Sequence, residues 1–128
     1  MAMPTLACRI NLPPKERTAH GYVSGAISAV VLVRVASSAH TAEPSGDAKP
    51  WRAVATVERV VRGSYLPAQV VFERGWGSSA CDDGHLIARV GELWVVYFWK
   101  QADGKQLVWQ SYPAATAFRA DTGLSIGR

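Results

Sequence analysis

The sequence predicts an all-β fold: five strands closed into a small Greek-key barrel, with one or two short helices beside it. Three observations predict it. Runs rich in β-branched and aromatic residues recur at residues 29–36, 51–62, 68–74, 93–99 and 106–111. Clusters of Gly, Pro, Asp and Ser separate these runs. The early stretch with helical character, residues 15–28, carries Gly21 and Gly25, which weaken it.

The chain has 128 residues, which is one domain, 1–128, by ordinary size statistics. Hydrophobic residues are 48% of it and charged residues 19%, a balance that excludes disorder and permits a sizeable core. The longest apolar runs, 29–33 and 93–99, fall well short of the roughly 20 residues that cross a bilayer as a helix.

Residues 1–14 read as an extended N-terminal segment tied to the barrel. Pro13 and Pro14 exclude helix there. Residues 29–36 form a strand with Val31, Val33 and Val35 on one face and Leu32 and Arg34 on the other. Residues 37–50, rich in Ser, Ala, Pro, Gly and Asp, read as a long loop. The alternation of strand 51–62 slips at Val60-Val61, as a β-bulge makes it do. Strand 68–74 puts Val70 and Phe72 on one face, Val71 and Glu73 on the other. Residues 86–90 are short and apolar, and Gly91-Glu92 turns into strand 93–99. That strand is apolar on both faces and so belongs at the centre of the sheet. Asp103-Gly104 supplies a hairpin turn into strand 106–111. Residues 114–120 suit a terminal helix, and 121–128 read as a loose tail. Five strands with long connections favour a barrel of the OB type.

The net charge is +4, from ten arginines and four lysines against ten acidic residues. The arginines are spread from Arg9 to Arg128 with no concentrated window, which describes a solvated basic surface better than a nucleic-acid footprint. The chain contains no Gly-x-Ser-x-Gly elbow and no phosphate-binding glycine loop ahead of a helix. The polar cluster Cys81-Asp82-Asp83-Gly84-His85 reads as a turn, because His20 and His40 have no spacing relation to it that would complete a metal site. No catalytic residue, metal site or cofactor is therefore assigned. Among the aromatics, Trp94, Val96 and Phe98 share one face of their strand and Val95, Tyr97 and Trp99 the other; core packing suits them better than base stacking. Trp51 and Trp76, at loop edges, and Arg74 are the candidate partner contacts, since Trp and Arg are the residue types that anchor interfaces; packing of the two tryptophans over the barrel mouth is the other reading of them.

Two cysteines, Cys8 and Cys81, permit one disulfide and are not metal-spaced. Residues 1–7 lack the basic and apolar regions of a secretory signal, and residues 1–3 read as an added start.

The order Cys8, strand 29–35, Val57-Glu58-Arg59-Val60-Val61-Arg62-Gly63, Cys81, then Gly91-Glu92-Leu93-Trp94-Val95-Val96-Tyr97-Phe98 resembles the netrin-like module. That module is shared by tissue inhibitors of metalloproteinases, netrins and complement C-terminal regions, and by many small bacterial secreted proteins. The resemblance spans residues 8–120. It implies an OB-type barrel and a bridge between Cys8 and Cys81, the family's first. Both halves of the second bridge are missing together: Ile10 stands at one position, and residues 110–113 hold no cysteine. Inhibitory members place the amino group of an N-terminal cysteine on a protease's zinc. Here that route is expected only for a chain beginning at Cys8. The resemblance thus implies a non-enzymatic, periplasmic or secreted module that binds another protein. The alternative from a different class is an OB-fold protein that binds single-stranded nucleic acid.

Overall fold

A computed structural model of the chain describes residues 13–41, 43, 50–74, 86–121 and 124. Within them the chain runs α1 (Pro14–Ser24), β1 (Ala29–His40), β2 (Trp51–Gly63), β3 (Gln69–Arg74), β4 (Leu93–Lys100), β5 (Gln106–Pro113) and α2 (Ala114–Ala120).

Pro14 is the first residue of α1 and does not exclude it. A helix's first amide has no intrahelical partner, so proline costs nothing there, and its fixed φ suits the first turn. The helix stops at Ser24, short of the expected 28, because Gly25 takes φ 77°. Gly25 N–H then donates to Tyr22 O at 3.2 Å and Ala26 N–H to Gly21 O at 2.9 Å, the paired bonds of a Schellman end.

β1 runs four residues past the expected strand, through a segment whose composition suggested a loop. Its extension is held by pairing with the start of β2, from Ser37↔Val54 to His40↔Trp51. Main-chain partners here override weak local propensity. The expected slip at Val60-Val61 is present: Val30 pairs with Arg62 and Val31 with Val60, leaving Val61 as the extra residue. Two further shifts leave Glu58 and Ala36 unmatched. Each bulge bends the ladder and increases its twist.

The sheet is antiparallel throughout, in the order β3-β2-β1-β4-β5. β4 lies between β1 and β5, as its two apolar faces require. Each face carries a core. On the inner face Val31, Val33, Val35, Phe72, Trp94 and Phe98 belong to one buried cluster. On the outer face Val30, Leu32, Val95, Tyr97 and Tyr112 pack with Ala114 and Ala117 of α2, and Tyr22 of α1 joins them. α1 approaches closely because Gly21 has no side chain: a Cβ there would lie 2.6 Å from the Trp109 indole.

The expected barrel is not closed. β3 and β5 form the two edges of the sheet and do not pair. The bulges curl the sheet enough to bring those edges opposite one another. Between them lies a cleft of about 410 Å³, crossed by a side chain and not by a main-chain ladder.

Candidate functional site

The cleft is built from consecutive residues of both edge strands, 71–74 of β3 and 107–111 of β5. Strand geometry decides what each wall presents. In an antiparallel pair, opposed residues alternate between those that exchange main-chain bonds and those that do not. Val57 N–H donates to Ala68 O at 2.9 Å, and the β2–β3 register continues from there. Val70, Phe72 and Arg74 therefore turn their amides to β2, and Val71 and Glu73 turn theirs to the cleft. On β5, Gln101 N–H donates to Lys105 O at 2.8 Å, so Leu107 is bonded to β4 while Gln106 and Val108 face outward.

Arg74 ends the β3 wall. It is 5% exposed. Its Nη1 donates to Ser111 O at 2.7 Å, and its guanidinium lies 5.9 Å from the Tyr112 ring centroid. Ser111 is also buried, and its Oγ has no hydrogen-bond partner among the described residues. Glu73 points out of the sheet and receives Arg52 at 2.6 Å in an exposed ion pair. The rest of the lining is neutral: Val71, Phe72, Leu107, Val108, Trp109 and Gln110. Val71 and Leu107 are exposed.

Of the sequence-predicted contacts, Arg74 lies in this cleft, while Trp51 does not serve as an exposed anchor. Trp51 opens β2 with its ring turned inward, fully buried, edge-on to Phe72 at 5.9 Å and to Trp94 at 5.6 Å. Its loop-edge position suggested exposure, but pairing with Arg74 on one side and His40 on the other draws it into the core. Trp76, Cys8 and Cys81 lie outside the described residues, as do Asp82, Asp83 and His85. Sequence reasoning passed over Ser111, Val71 and Leu107, because each is an ordinary strand residue whose role depends on which edge is left unpaired.

A second polar cluster lies between the helices. Tyr22 OH donates to Asp121 Oδ2 at 2.6 Å, and Tyr97 OH donates to the same oxygen at 2.9 Å. Asp121 ends α2 and is buried. Burial first, and the Asp121 carboxylate second, push both phenols well above their ordinary value. Arg62 lies 4.9 Å from the Tyr22 ring centroid. The cluster ties α1, α2 and β4 together.

Among the described residues no three side chains of metal-ligating type converge, and no helix is long and apolar enough to cross a membrane. No family model, curated protein or solved structure matches the chain.

Proposed function

We propose that this protein is a non-enzymatic binding module of the netrin-like kind, acting outside the cytoplasm on another protein, with an OB-type barrel left open between β3 and β5. The strand order supports the fold part of this reading. β3-β2-β1-β4-β5 is the order of a five-stranded OB-type barrel cut at one seam. The observation that carries the functional part is the seam itself: two strand edges that have no strand beside them among the described residues face each other across a cleft with mostly neutral walls. Natural β proteins cover, charge or shorten free edges; here the two edge charges are engaged, Glu73 by Arg52 and Arg74 by the Ser111 carbonyl, and the rest of the seam is neutral, which supports reading it as a contact surface.

Photocrosslinking residues placed at Val71 and Leu107, and at the remote exposed positions Val23 and Leu66, test the reading in the native host. A protein adduct from any of them supports a protein-binding module. No adduct, together with salt-dependent binding of single-stranded oligonucleotides, transfers the protein to the nucleic-acid class.

A further inference from the structure

We infer that the seam accepts an isolated extended peptide segment of the partner as a sixth strand, bonded on both sides, antiparallel to β3 and β5 alike. This rests on the binding-module reading above and specifies its ligand. Because every neighbouring pair in the sheet is antiparallel, β3 and β5 run in the same direction. Pairing them directly would make a parallel ladder. A single inserted strand, by contrast, is antiparallel to both walls at once, the stronger arrangement. Val71 and Glu73 on one wall, and Gln106 and Val108 on the other, present the amides and carbonyls it needs. Strand addition of this kind takes its affinity from main-chain bonds and its selectivity from alternate side chains.

The geometry also says what cannot enter. An occupant bonded to both walls needs both of its own edges free. Each of the five described strands already has at least one edge paired within the sheet, so none of them can supply it from a second copy. The occupant is a segment without a sheet of its own. The lining sets its chemistry. Glu73 is satisfied by Arg52, and residues 107–111 carry no charge. Ligand residues facing Phe72 and Val108, on the inner side of the seam, are apolar or uncharged, because a charge there would lose water without a counter-charge beside it.

The test selects binders from a random eight-residue peptide display library on the full chain, then maps the best binder by amide shifts and hydrogen exchange. The expected result is protection of the Val71, Glu73 and Val108 amides, which exchange freely before addition. N-methylating alternate amides of the peptide weakens binding by about tenfold or more per lost edge. Val71→Pro removes one donor from the free edge and keeps the β2 ladder; it should weaken binding about tenfold, while Val71→Thr retains it. If Val71→Pro fails to fold, Val108→Pro makes the same test from the other wall. Three outcomes overturn the proposal: no enriched peptide, a binder mapped elsewhere, or N-methylated peptide binding equally well. Protection of the wall amides in the free protein would assign the seam to the chain's own residues and overturn it too. A crosslinked partner from Val23 or Leu66 with an unresponsive seam would keep the binding-module reading and discard this ligand.

Discussion

Phe72 and Trp94 meet with ring centroids 5.4 Å apart, although β2 and β1 lie between their strands. In a flat sheet three strand spacings would separate them by about 14 Å. Their contact therefore measures how far the bulges in β1 and β2 have curled the sheet, and Trp51 fills the angle between them. Phe72→Ala should cost about 3–5 kcal/mol, since it opens a cavity where two strands that are not neighbours in the sheet touch. Val71→Ala, one residue along on an exposed position, should change stability by less than about 0.5 kcal/mol. Denaturant midpoints compare the two, and equal losses would contradict the curled-sheet account.

Two glycines are required for opposite reasons. Gly63 ends β2 at φ 71°, and a Cβ there runs into the Ser28 carbonyl. Gly63→Ala therefore adds left-handed strain to a clash with rigid backbone. Gly21 has ordinary helical geometry, and the atoms its Cβ would meet first belong to side chains, those of Trp109 and Ile27. Gly21→Ala should cost about 1–3 kcal/mol as those chains move, and should shift the tryptophan emission. Gly63→Ala should cost more, with less recovery from any compensating side-chain change. The order of the two thermal midpoints checks this.

The phenols on Asp121 predict an alkaline limit. Both are raised above the ordinary tyrosine value of 10.0. The folded state thus holds protons that the unfolded chain releases. Their stabilisation is complete below pH 10 and declines as pH rises beyond it. Fully buried Tyr97 contributes a slope of up to about 1.4 kcal/mol per pH unit there. Tyr22, partly exposed, contributes less. At neutral pH, Tyr97→Phe should cost about 1.5–3 kcal/mol, because a buried carboxylate loses a donor. Unfolding titrations from pH 8 to 12 should show the slope above pH 10 and its reduction in Tyr97→Phe. A flat profile would remove the linkage.

The sequence shows the strands more clearly than what the strands do at their margins. Period-two alternation marks the inward residues of β2 and β3, the unbroken apolar run marks β4 as central, and the slip at Val60-Val61 marks a bulge, because all are local properties of the chain. The extension of β1 through His40 was hidden: Ser37 to His40 have no strand signal of their own and are held by β2. Trp51 left two readings open for the same reason, and burial decides for packing: it is a loop-edge residue in sequence and a core residue in space. The seam was least legible. Arg74 could be named as a contact residue type, but a free edge is defined by the strand that is absent beside it, which no residue of β3 or β5 encodes.

The proposed bridge between Cys8 and Cys81 predicts a pattern that size alone would not reveal. Closing so long a loop should stabilise the fold by about 4 kcal/mol in the chain-entropy account. Cys8→Ser and Cys81→Ser should each lose most of that. The double variant should lose no more than either single one, since the first substitution already opens the loop. Independent, unbridged thiols would instead give small losses that add. Thiol titration after denaturation without reductant gives the direct answer: no reactive thiol if the bridge exists, two if it does not. Two thiols would also withdraw the chief support for an oxidising compartment, leaving the netrin-like reading to rest on strand order and motif order alone.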